Sequence, residues 1–203
     1  MRKLTFLLIL MVFMFFCVAT VTAQKVSRVK PDTNIDLSGY WNDADVRIVC
    51  EMLIKDCLNS ARVDQAIKAK KGTPIVIVGR FRNESSEHID TSIISTIMEN
   101  TIFNSGKLDF VAGGSTREDL RTERMEQQNG FTSDTTASVL GKEIGADFML
   151  TGSVKLIIDK AGNQTVRKYF VTAELTDIET NARIWMQTNS EIKKVVVQPK
   201  NKL

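Results

Sequence analysis

Histidine is nearly absent: His88 is the one imidazole in 203 residues. Most zinc sites and every His-based catalytic triad need more, so neither can organise this chain. Phosphate-binding glycine motifs are also missing. No G-x-G-x-x-G occurs, and Gly113-Gly114-Ser115-Thr116 is not followed by the lysine of a phosphate loop. Backbone N–H groups in such a setting can cradle an anion, but the stretch reads as a strand-to-helix turn with its cap. A large charge excess is lacking as well. With 27 basic and 24 acidic residues the net charge is +3, and loss of Arg2 and Lys3 would leave about +1. That is no nucleic-acid signature. Cysteine is scarce, at three. Cys50 and Cys57 lie two helical turns apart, roughly 10 Å and too far for a bridge between them, so they read as small core hydrophobes.

The N-terminus carries a targeting pattern. Met1-Arg2-Lys3 precedes an apolar run, Leu4–Val18, and a small-residue site at Val21-Thr22-Ala23-Gln24. A spanning helix needs roughly 20 apolar residues, so the pattern is that of a secretory signal peptide cleaved after Ala23. The alternative is a lipoprotein acylated on Cys17, but Phe15 and Phe16 stand where a lipobox requires small residues. Gln24–Leu37 has no sustained period and reads as a short linker. The expected divisions are a signal peptide at 1–23, a linker at 24–37, an α+β domain at 38–195 and a basic tail at 196–203.

What is present is a strong pattern of alternation near the C-terminus. Phe148, Leu150, Gly152, Val154, Leu156 and Ile158 occupy every second position, as do Tyr169, Val171, Ala173 and Leu175. Ala161-Gly162-Asn163 and Asp177–Asn181 are turns, so this region is a three-stranded antiparallel meander whose apolar face needs a cover. Upstream, Asn42 caps a helix with Asp45, and Val46, Val49, Cys50, Leu53, Ile54 and Cys57 recur at helical spacing. A weaker helix at Arg62–Lys70 ends at Gly72, and Pro74 bars its continuation. Ile75–Val78 has the form of a strand buried on both faces, and Arg80–His88 reads as a polar loop.

Asp90 caps a helix closed by Asn104-Ser105-Gly106, Leu108–Ala112 is a short strand, and Ser115-x-x-Glu118 opens a charged surface helix to Gln128. Asp134 caps a short helix at Ala137–Ile144 with Gly145 as its stop. The fold class is α+β: a mixed sheet ending in a three-stranded antiparallel meander, with helices packed on one face.

Chemistry is sparse. His88, set among Glu84, Glu87 and Asp90, lacks metal-ligand spacing. No nucleophile–base constellation appears, so no catalytic residue, cofactor site or metal site is expected. The alternate positions of the meander offer a surface instead. If Phe170 and Trp185 face outward, rimmed by Arg167, Lys168 and Arg183, they form an aromatic and basic patch suited to a protein partner. The alternation equally admits cross-strand pairing alone, or a register in which Trp185 turns into the core.

The motifs SGYWNDAD, PIVIVGRFRNESSEHIDT, RTERMEQQNG, LGKEIGADFMLTGSV and YFVTAELTDIETNARIW, in this order, resemble the LpoB family of penicillin-binding-protein activators over about Leu37–Lys194. The resemblance implies a TolB-N-terminal-like α+β domain in the periplasm of a Gram-negative bacterium, without catalytic activity. It also implies a class A, bifunctional penicillin-binding protein as partner in peptidoglycan synthesis. Asn181 stands where the family usually has glycine. The rival reading is a CsgG-like subunit of an envelope assembly or secretion complex, although no barrel-forming segments of about 9–11 alternating residues are evident.

Overall fold

The computed structural model describes residues 28–30, 33, 35–133 and 135–199. The expected signal peptide, Cys17, part of the expected linker, the expected cap at Asp134 and positions 200–203 of the expected tail lie outside the described residues. Contacts divide the chain into two units, 1–33 and 34–203. In the first, the Thr33 N–H donates to the Lys30 carbonyl at 3.0 Å.

The second unit begins its regular structure with α1, Asp43–Leu58. Asn42 Oδ1 accepts from the Asp45 N–H at 3.1 Å, and Asp45 Oδ2 accepts from the Asn42 N–H at 2.9 Å, a reciprocal cap that satisfies two otherwise orphaned donors. The stripe Val46, Val49, Cys50, Leu53, Ile54 and Cys57 is buried as its spacing requires. Both cysteines are free, and burial pushes their thiols up to about 12. Then follow α2 (Ala61–Ala69), β1 (Ile75–Asn83), α3 (Ser92–Ser105), β2 (Asp109–Phe110) and α4 (Gly114–Glu126). The last four elements are strands: β3 (Phe148–Ala161), β4 (Gln164–Asp177), β5 (Arg183–Asn189) and β6 (Lys193–Val197).

The sheet runs β2-β1-β3-β4-β5, with β6 also paired to β4. β1 is parallel to β2 and β3, whereas β3, β4 and β5 form the expected antiparallel meander. The fold is therefore α+β, with α1, α2 and α3 supplying the cover over one face. Phe148, Leu150, Val154, Tyr169, Val171, Ala173 and Leu175 join the α1 and α3 stripes in one core. Gly152 gives room within the sheet: a Cβ there would lie 2.2 Å from the Phe81 ring of β1 and 2.3 Å from the Thr172 carbonyl oxygen of β4.

Several expectations are corrected. β1 continues through Arg80–Asn83: an irregularity in its pairing with β3 between Val78 and Phe81 brings Phe81 inward to 1% exposure while Arg80 and Arg82 point out. β1 is not buried on both faces either: Val76 is, but Ile75, Ile77 and Val78 are only half-buried. The expected strand Leu108–Ala112 shrinks to two residues. Gly113 caps α4 without any side-chain bond, so the Ser115–Glu118 box does not form. Ala137–Ile144 is irregular rather than helical. Its Val139, Leu140 and Ile144 stay exposed, and so short a helix without a buried face is marginal in water. Finally, the chain after Lys194 is no tail at once: Val195–Val197 completes β6.

Candidate partner-binding face

Strand register decides which side chains share a face. Tyr169, Val171, Ala173 and Leu175 of β4 lie under the helices, and Trp185 is directly opposite Leu175. Trp185 therefore belongs to the covered face and is 7% exposed. Its Nε1–H donates to Asp56 Oδ1 of α1 at 2.6 Å, which satisfies the buried indole donor. Arg167 has the same parity as Tyr169 and is also buried, at 8%. The two residues expected to form part of an outward patch thus point the other way.

Arg167 sits in a polar network at one end of the covered face. Its Nε donates to Glu87 Oε1 at 3.0 Å, and Tyr169 Oη donates to Glu87 Oε2 at 2.7 Å. Burial, together with this carboxylate, raises the Tyr169 hydroxyl above its ordinary range. Glu87, read in the sequence as part of a polar loop, is the acceptor that makes the buried guanidinium tolerable. The Arg167 guanidinium lies 4.1 Å from the Tyr40 ring centroid, and Trp41 packs on Tyr169 at 5.2 Å. Lys194 reaches Asp36, donates to the Tyr40 carbonyl at 2.8 Å and bridges Asp45 Oδ2 at 2.7 Å. The end of the linker and the Ser38–Trp41 motif are therefore fastened to β4 and β6.

The opposite face carries no helix among the described residues. Phe170 lies across from Lys155, Thr172 across from Ser153 and Thr188, and Glu174 across from Thr151 and Met186. Lys168 Nζ approaches the Phe170 ring centroid to 5.3 Å, the Thr172 and Thr188 hydroxyls bond at 2.9 Å, and Arg183 Nε donates to Glu174 Oε2 at 2.8 Å. Of the five residues expected in the patch, the structure keeps Lys168, Phe170 and Arg183 outside and adds Met186, which is 53% exposed. Met186 takes the face opposite Trp185, its neighbour in β5, and only the register of β5, with its irregularity at Leu175/Thr176, shows that this is the open face. The result is a flat surface with one aromatic, one thioether and mixed charge.

The other candidates are plain. His88 is exposed in its loop. Among the described residues no three His, Cys, Asp or Glu side chains gather as metal ligands would. The Gly113–Thr116 turn lines a cleft of about 560 Å³ shared with Ile77–Phe81 and α3.

A model of the family described as peptidoglycan-synthase activator LpoB matches residues 45–191. No curated protein matches the chain. Among solved structures, the LpoB C-terminal domain from Salmonella enterica is 16% identical, covers 76% of this chain and 99% of its own, and has a TM-score of 0.42. The LpoB C-terminal domain from Escherichia coli is 15% identical with the same coverage, 76% and 99%, and a TM-score of 0.43. The PelC dodecamer from Paraburkholderia phytofirmans is 17% identical over 62% of this chain and 74% of its own, with a TM-score of 0.33.

Proposed function

The chain belongs to the family of the peptidoglycan-synthase activator LpoB, and from that premise we propose that it is a non-catalytic regulator of a class A, bifunctional penicillin-binding protein. It acts in the periplasm, as a mature chain beginning near Gln24, with a linker to about Leu37 and one regulatory domain after it. The observation that carries the reading is the family match, which spans strands β1 to β5 and nearly all of the helices that cover them. No cofactor enters. Regulation by contact requires only that the domain bind the active state of the synthase more tightly than the resting one.

The contact is made by the upper half of the open face: Phe170 and Met186 supply the anchors and Arg183 the basic rim, with Lys168 marking its lower boundary. Aromatic, Met and Arg side chains are enriched at protein interfaces, and aromatics and Arg dominate their binding energy. Arg167 and Trp185 have no part in it, since both are buried under the helices.

Affinity capture from solubilised native envelope, with Gln24–Leu203 as bait, tests the partner. Retention of a bifunctional penicillin-binding protein, followed by faster glycan polymerisation when the purified domain is added, is the expected result. Recovery of only a self-assembled ring with secretion components would replace this reading by the CsgG-like one. The interface is tested by Phe170→Ala with Arg183→Glu, which should keep the fold and lose stimulation by tenfold or more, in the range of lost hot-spot contacts. A folded double variant that stimulates normally would remove this face from the mechanism.

A further inference from the structure

The lower half of the open face differs from the upper half, and β6 creates the difference. Below Phe170 the outward rows are Ile157–Lys168–Lys193, Asp159–Val166–Val195 and Ala161–Gln164–Val197. Ile157 is 60% exposed, Val195 58% and Val197 56%. With roughly 6.7 Å between same-face residues along a strand, these rows and Phe170 extend over about 20 Å. Branched aliphatics thus stand in water on a flat surface.

The charges among them are mostly basic: Lys168 and Lys193 stand against Asp159, the acidic side chain of these rows. Lys168 and Lys193 are directly opposite each other, an arrangement that costs stability when no counter-charge answers it. Lys168 lies against the Phe170 ring, and among the described residues neither lysine has a carboxylate within bridging distance. Lys155 on the rim reaches Glu84 at 3.3 Å. Lys200 and Lys202 follow β6 in the sequence.

Composition selects the partner. Protein interfaces favour aromatic, Met and Arg side chains and are poor in Lys, which suits the upper half and not the lower. Aliphatic side chains beside lysines match a phosphate-bearing lipid surface, where the aliphatics enter the headgroup boundary and the ammonium groups meet the phosphates. We propose that this half of the face, built from Ile157, Val166, Lys168, Lys193, Val195 and Val197, rests on an anionic lipid surface. The upper half then stays free for a protein.

Vesicle sedimentation tests this, using the chain from Gln24, which retains the whole compact unit from Asn34 onward. At low salt the protein should sediment with vesicles of mixed phosphatidylcholine and phosphatidylglycerol and stay in solution with phosphatidylcholine alone. Lys168→Gln with Lys193→Gln should lower the partition roughly thirtyfold, as expected for two near-surface lysines. Val195→Ser with Val197→Ser should lower it severalfold, and Lys55→Gln with Lys142→Gln, which removes equal charge elsewhere, should leave it unchanged. Thermal melts establish that each variant folds, and Lys193→Gln alone serves if the double variant does not.

Four outcomes overturn the proposal. They are no sedimentation of the folded wild type with anionic vesicles, an equal loss in the Lys55/Lys142 variant, and release by inorganic phosphate at constant ionic strength, which would assign the lysines to a small anion. The fourth is a Lys168/Lys193 variant that binds vesicles normally yet fails to stimulate the synthase without lipid, which would give the surface to the protein contact.

Discussion

Arg167 and Lys168 are neighbours in one strand, as are Tyr169 and Phe170, yet the two faces of the sheet use them oppositely. On the covered face the cation is buried, bonded to Glu87 and roofed by Tyr40, and the aromatic hydroxyl shares the same carboxylate. On the open face the cation lies in solvent against the ring of Phe170. Residue type alone does not separate them; position parity does. The covered side uses its polar groups to hold the linker end and the sheet together.

The contrast breaks most visibly at the tryptophan. Trp185→Ala should cost about 3–5 kcal/mol, the range for removing a buried large aromatic, whereas Phe170→Ala should cost under about 1 kcal/mol. Urea midpoints measure both, and equal losses would mean that the faces are not distinct. Next in size is the buried pair: Glu87→Ala strands the Arg167 guanidinium and should cost about 3 kcal/mol, against about 0.5 kcal/mol for Glu174→Ala, whose partner Arg183 is exposed. A double-mutant cycle of Glu87 and Arg167 checks that the loss belongs to the pair.

Acid sharpens the comparison further. The Lys70 ammonium, hydrogen-bonded to Asp177 at 2.9 Å, and the Thr180 N–H hold the Asp177 carboxyl at about 2, below its ordinary 3.8. A carboxyl depressed in the folded state stabilises above its unfolded value and loses that contribution as pH falls towards its folded one. Stability should therefore decline between about pH 4 and pH 2, by about 1 kcal/mol after screening at the solvent-facing Lys70. Asp177→Asn should flatten that part of the profile, and an unchanged profile would show that other carboxyls carry it.

Much of this architecture was legible because the long elements repeat their pattern. The α1 stripe, the α3 stripe and the β3–β4 hairpin each offer several turns or many alternations, so local error does not accumulate. Short or lysine-led pieces gave no such signal. Val196 and Val197 were read into a basic tail, although the β-branched run Val195–Val197 was the available sign of β6. The candidate face was half legible: Lys168 and Phe170 followed from the parity of β4. Arg167 shares the parity of Tyr169 and could have been placed inside on that ground. Trp185 could not be placed, because the irregularity between Leu175 and Thr176 shifts the pairing to β5 and no local residue announces it.

The turn before β5 gives the smallest and most informative test. Asn181 is the one non-glycine residue with positive φ among the described residues, at 59°. Asp177 Oδ1 accepts from both the Thr180 N–H and its hydroxyl at 2.9 Å, so the turn is pinned from its first residue. Glycine at 181 would adopt the left-handed conformation without a Cβ penalty but would gain freedom when unfolded, so Asn181→Gly should change stability by only a few tenths of a kcal/mol. Valine there should cost about 1–2 kcal/mol. The backbone conformation, rather than the Asn side chain, sets where β5 begins, and a one-residue slip would carry Trp185 to the open face. In a Trp41→Phe background, the fluorescence of Trp185 should therefore be the same with Asn or Gly at 181. A red shift with glycine would assign the parity of β5, and with it the separation of the two faces, to the asparagine side chain.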